Sequence, residues 1–115
     1  MNKIIPDLQK EIHGYAVNQG FYTMETTMRF HTPNPDEHAF FTNLMIIKRL
    51  ALIHSEVSEA LEGLRNNKNN LSEELADVVI RALDLAEFCN IDLSEAINDK
   101  MKINNKRPFL HGKEF

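Results

Sequence analysis

Four acidic residues in two short pairs carry the chemistry of this sequence: Glu56-x-x-Glu59 and Glu74-x-x-Asp77. Residues three apart on an α-helix project from nearly the same face, so each pair can aim two carboxylates at one point. Between the pairs lies Asn66-Asn67-Lys68-Asn69-Asn70, a strong turn signal. If it reverses the chain, two antiparallel helices face each other and all four carboxylates converge. Such a cluster stays ionised only beside a compensating cation, and hard oxygen donors suit Mg2+ or Mn2+ rather than zinc or copper. The expectation is a carboxylate-held magnesium that handles a phosphate compound. The competing account is two solvated helix faces, on which acidic pairs at this spacing are common. Two features favour the metal. Both pairs sit among apolar residues (Val57, Ala60 and Leu61; Leu75, Ala76, Val78 and Val79), and the spacer has the length of a helix–helix connection.

The chain that must position these groups has 115 residues, one domain's worth. Its net charge of −4 argues against a broad nucleic-acid footprint. The only cysteine, Cys89, excludes an internal disulfide and fits a reducing, cytoplasmic setting. The first fifteen residues lack the apolar run of a signal peptide, and no stretch is apolar enough to span a membrane.

Apolar periodicity predicts helices over about 3–19, 36–66, 71–90 and 92–104. In the first, Ile4, Ile5, Leu8, Ile12, Tyr15 and Ala16 share a face, His13 falls at its polar edge, and Gly20 is the stop. Residues 20–35 read as a loop, broken by Pro33 and Pro35. Its Phe21, Tyr22, Met24, Met28 and Phe30 either pack on the domain or form a wall against which a flat ring stacks. Asp36 is the expected cap of the second helix. That helix is expected to bury Phe40, Phe41, Leu44, Ile47, Leu50, Ala51, Val57, Leu61 and Leu64. Asn70 and Glu73 form a capping-box pattern before the third helix, whose apolar residues run most of the way round. A chain this short offers few partners to cover them, so a homo-oligomer is expected. Arg81, four residues after Asp77, either braces the acidic site or makes a plain salt bridge. Asp92 and Glu95 mark the fourth helix start. The tail gathers Lys100, Asn104, Lys106 and Arg107, suited either to holding a polyphosphate or to complementing a helix dipole.

The order Glu56-x-x-Glu59, spacer, Glu74-x-x-Asp77, then Lys100-Met101-x-x-Asn104-x-x-Arg107-Pro108-x-x-His111-Gly112 resembles the MazG-like nucleoside triphosphate pyrophosphohydrolases. The resemblance spans roughly residues 44–112. It implies an all-α bundle of about four helices, completed by assembly into homodimers or dimers of dimers. Taken with the length and the periodicity above, the resemblance makes 1–115 a single such domain: an N-terminal helix and aromatic loop in 1–35, the carboxylate-bearing helices in 36–104 and a tail in 105–115. It implies Mg2+-dependent hydrolysis of nucleoside or deoxynucleoside triphosphates to monophosphate and pyrophosphate, a nucleotide-pool house-cleaning activity. The metal ligands it implies are Glu56, Glu59, Glu74 and Asp77. Glu56 or Glu59 would take the proton from the attacking water, and Lys100, Asn104 and Arg107 would contact phosphate. In one departure, Ser55 stands where the family pattern has a further acid.

Two other classes bear comparison. A di-iron carboxylate bundle needs Glu-x-x-His pairs, and no glutamate here has histidine three residues on. A non-catalytic helical interaction module would keep the apolar faces but has no use for four convergent acids.

Overall fold

The computed structural model describes residues 4–31 and 34–114, with the side chains of Arg29 and Phe30 left out; Lys3 and Pro33, which figure in the expectations above, lie outside it. All its regular structure is helical: α1 Ile4–Asn18, α2 Thr23–Phe30, α3 Pro35–Arg65, α4 Leu71–Phe88 and α5 Leu93–Asn105, followed by a short 3-10 turn at Phe109–Gly112. The fold is the all-α bundle expected, with one addition. Thr23–Phe30, read as loop, forms a two-turn helix. Thr26 and Thr27 each return their hydroxyl to the carbonyl four residues back, at 2.9 Å in both cases, which accommodates β-branched residues within the turn.

The punctuation has identifiable causes. Asn34, not Asp36, caps α3, accepting from the amides of Asp36 (2.9 Å) and Glu37 (3.4 Å), with Pro35 set in the first turn. Three helices end alike. Gly20, Asn67 and Asn90 take positive φ. Phe21 N–H then reaches back to Ala16, Lys68 to Gly63 and Ile91 to Ala86, at 2.8–3.0 Å. Asp92 caps α5 through Glu95 N–H. Asn70 makes no side-chain cap; its amide instead donates to Glu74 at 3.1 Å. That side chain also lies against α3, where a Cβ on Gly63 would sit 2.7 Å from Asn70 Oδ1.

α3 and α4 run antiparallel. Gly63 faces Asn70, and Glu56 faces Arg81 further along. On its other side α4 packs against α1, Gln9 meeting Glu87 and His13 meeting Asp84. The α4 helix is therefore the middle layer, and α5 folds back on α1. Gln9, only 1 % exposed, ties that corner: its amide donates to Ile91 O at 2.8 Å and accepts from Leu93 N–H at 2.9 Å.

The expected burial on α3 does not hold. The side it turns inward carries Met45, Arg49, Glu56 and Gly63. Phe40, Leu44, Ile47, Leu50, Val57, Leu61 and Leu64 are exposed, Phe40 by 66 % and Leu64 by 63 %. The reason is that α4 and α2 meet α3 through ion pairs and a glycine contact, leaving its apolar stripe on the outside. Buried hydrophobic residues among the described ones are Tyr22, Met45, Leu83, Leu85 and Ala86; equally many are polar, namely Gln9, Glu25, Arg49, Glu56 and Asp84. The radius of gyration is 17.2 Å, against about 13 Å for a compact chain of this length. One copy is thus an open framework rather than a closed globule.

Candidate metal centre and cavity

The i,i+3 spacing and the antiparallel packing bring three of the four acids together. Glu56, Glu59 and Glu74 each offer an oxygen within 4.8 Å of the others. Glu56 is buried, and its Oε1 accepts from Arg81 Nε at 2.7 Å. Glu74 is half-buried: Oε1 accepts from Asn70, while Oε2 is buried with no hydrogen-bond partner. Glu59 is exposed. The negative charge of Glu56, chiefly, then a hydrogen bond between the two carboxyls and the charges of Glu74 and Asp77, push the Glu59 carboxyl above its usual value. Asp77 stands outside this group of three but lines the adjoining cavity with Glu56 and Arg81.

The donor set fits a hard divalent cation on two observations. Three carboxylate oxygens converge with one guanidinium against them, and Glu74 Oε2 is desolvated and unsatisfied, a costly state that a cation would relieve.

The cavity holds about 610 Å³. Its apolar wall comes from α1 and the turn after it: Leu8, Ile12, Tyr15, Ala16 and Phe21. Ile80 supplies the opposite side on α4, and Glu11, Arg49 and Asp84 add polar groups. Of the aromatic segment, Phe21 lines the cavity while Tyr22 is buried. Neither Met24, Met28, Phe40 nor Phe41 belongs to the lining.

Behind this wall runs a buried polar chain that the sequence pattern does not mark. Arg49 donates to Glu25 at 2.7 Å and to the Phe21 carbonyl at 2.8 Å, and its guanidinium lies 4.0 Å from the centre of the Tyr22 ring. Lys48 adds a second cation to Glu25 at 3.2 Å. Burial works against ionising Glu25, but a backbone hydrogen bond and these two cations outweigh it and hold the carboxyl below its usual value. Tyr22 donates to Asp84 at 2.7 Å, and His13 Nδ1 lies 2.8 Å from the other oxygen. Burial first, then the Asp84 contact, push the Tyr22 hydroxyl far above its usual range, so it remains a donor. His13 is therefore not an idle polar edge. The signal for this chain is charge inside apolar runs, Arg49 beside Leu50 and Asp84 between Leu83 and Leu85.

The tail residues stand apart. Lys100 is exposed, Asn104 Oδ1 is buried without a partner, and Arg107 meets His111 Nδ1 at 3.1 Å on the surface. None of the three lines the cavity. Leu110, His111 and Gly112 all take positive φ in the turn that follows.

Residues 42–110 match the family model of the MazG nucleotide pyrophosphohydrolase domain. The chain matches no curated protein and no solved structure.

Proposed function

Because the chain belongs to the MazG nucleotide pyrophosphohydrolase domain family, we propose that it hydrolyses nucleoside or deoxynucleoside triphosphates to the monophosphate and pyrophosphate, with Mg2+ as the cofactor and Mn2+ able to replace it. The observation that carries this reading is the convergence of Glu56, Glu59 and Glu74 beside a cavity that also contains Asp77. Glu56, Glu59, Glu74 and Asp77 would hold the cation. When bound, Mg2+ neutralises phosphate charge and makes a nearby water more acidic.

The chain's own groups account for the rest. Glu59, the exposed member with the raised carboxyl, is well suited to accept a proton from water attacking the α-phosphorus; Glu56 is the alternative acceptor. The apolar wall of α1 with Tyr15 and Phe21 offers a surface on which a base can stack and from which water is excluded. Lys100, Asn104 and Arg107 are the proposed phosphate contacts. Since they stand outside the lining, they would reach substrate at the mouth of the cavity or from a second copy. The exposed apolar stripe of α3 supports self-association as a dimer or dimer of dimers, since patches this continuous mark interaction surfaces. Removal of damaged or surplus nucleotides is the role that fits such an activity. No helix among the described residues is long and apolar enough to cross a membrane.

The test is pyrophosphate release from a panel of canonical and modified nucleoside triphosphates, with Mg2+ and with EDTA. The expected outcome is release with Mg2+, monophosphate as co-product, and none with EDTA. No release from any of them would leave the acids structural and favour an interaction module built on the α3 stripe.

A further inference from the structure

Two cations line the cavity among the described residues, Arg49 and Arg81. Arg49 is buried, its Nη2 held by Glu25 and the Phe21 carbonyl and its guanidinium packed on the face of Tyr22, while its Nε has no hydrogen-bond partner. Arg81 is not buried. Only its Nε is used, on Glu56 Oε1 at 2.7 Å, and its two terminal amino groups make no hydrogen bond or ion pair among the described residues. Its side chain is 40 % exposed where that of Glu56 is 11 %, so the pair sits at the boundary between buried acid and open cavity. Four acids, Glu11, Glu56, Asp77 and Asp84, share that lining.

We propose that Arg81 serves two anions in turn: it holds Glu56 until a divalent cation takes that carboxylate, and then it binds the polyphosphate of the substrate. The assignment rests on the pyrophosphohydrolase reading above. Its physical basis is competition. Glu56 belongs to the converging group of three, so a cation bound there and the Arg81 guanidinium would compete for one carboxylate and repel each other. A guanidinium displaced toward the cavity presents a planar fork of donors, the geometry that phosphate oxygens accept two at a time. Without cation, the same ion pair compensates the charge of Glu56. Arg81 thus reports whether the cation is in place, and the anion site forms only when it is.

The experiment measures two affinities in Arg81→Met and Arg81→Lys, both checked for helical circular dichroism. Mn2+ binding is followed by electron paramagnetic resonance. Binding of inorganic tripolyphosphate in saturating Mn2+ is followed by calorimetry. In Arg81→Met, Mn2+ should bind about 3- to 10-fold tighter and tripolyphosphate about 10-fold weaker or more, the size of one charge-assisted hydrogen bond. Arg81→Lys should recover part of the tripolyphosphate affinity. Opposite shifts are the signature, because a merely structural arginine would lower both affinities together. Joint loss, or no change in either, overturns the proposal and leaves the cation site standing. Failure of the wild-type protein to bind Mn2+ overturns both. If Arg81→Met does not fold, Arg81→Lys carries the test: unchanged affinities in it count against the proposal, and smaller shifts of opposite sign count for it.

Discussion

Around Glu25 the described residues supply two cations for one acid; around Glu59 they supply several acids and one cation, Arg81, which is paired with Glu56. Lys48 and Arg49 close on the first carboxylate, which stays below its usual ionisation range. Glu56, Glu74 and Asp77 crowd the second and raise it. Both clusters rest on α3 and its neighbours, so helix geometry does not separate them. Charge balance does. A carboxylate whose partner is part of the chain holds elements together. One whose partner is missing stores repulsion that an external cation can relieve. An unpartnered buried oxygen does not by itself separate the two, since Glu25 Oε2 and Glu74 Oε2 both lack a hydrogen-bond partner; the surplus of acids around Glu74 does.

The contrast breaks most visibly at the acids. Alanine at Glu59 or Asp77 should lower pyrophosphate release by roughly 10³-fold or more, a loss comparable to removing a group that faces developing charge, while helical circular dichroism persists. Near-wild-type turnover in both variants would erase the difference between the two clusters.

Stability sharpens it next. Arg49→Ala leaves buried Glu25 with only the exposed Lys48 as its cation and should cost about 3 kcal/mol in denaturant unfolding. Glu74→Gln should cost nothing, or stabilise, in EDTA, because it removes repulsion, but it should erase the rise in melting temperature on adding Mg2+. A large loss in EDTA would mean the second cluster is structural as well.

Proton linkage should have opposite signs in the two places. The lowered Glu25 carboxyl contributes stability that is complete above the usual glutamate value and is lost as pH falls through the lowered one. The raised Glu59 carboxyl does the reverse: without cation, stability falls as pH rises from the usual value through the raised one. Melting curves against pH in EDTA, for wild type and Glu59→Gln, separate the two. The variant should lose the decline on the alkaline side and keep the acid-side loss.

Gly63→Ala should have the smallest effect. Its Cβ would meet the tip of the Asn70 side chain at 2.7 Å. That tip can rotate away, and alanine favours helix, so stability should change by less than about 1 kcal/mol. The Asn70–Glu74 hydrogen bond is what would be lost, and the Mg2+-induced shift in melting temperature should change more than the stability in EDTA.

What the sequence makes legible follows the same division. The helix limits of α3 and α4 are visible because Pro35 and the asparagine run punctuate them. The acid pairs are visible because spacing of three needs no tertiary information. The inward face of α3 is hidden. Periodicity identifies an apolar stripe but not what covers it, and here Arg49, Glu56 and Gly63 turn inward instead. Thr23–Phe30 is hidden because its threonines favour extended structure and its helix depends on Glu25 reaching Arg49. Asp84 is an odd charge in an apolar run until His13 and Tyr22, far away in sequence, are placed beside it.

Gln9 has a consequence for where this domain can be cut. Its side chain fastens α1 to the turn between α4 and α5, and His13, Tyr22 and Glu25 fasten the same N-terminal region to Asp84 and Arg49. All four lie ahead of residue 42, where the family match begins. A fragment trimmed to 42–110 would keep every acid of the candidate centre and lose the partners of its buried charges. The portion by which the family is recognised therefore leaves out the N-terminal contacts on which the buried charges of α3 and α4 rest.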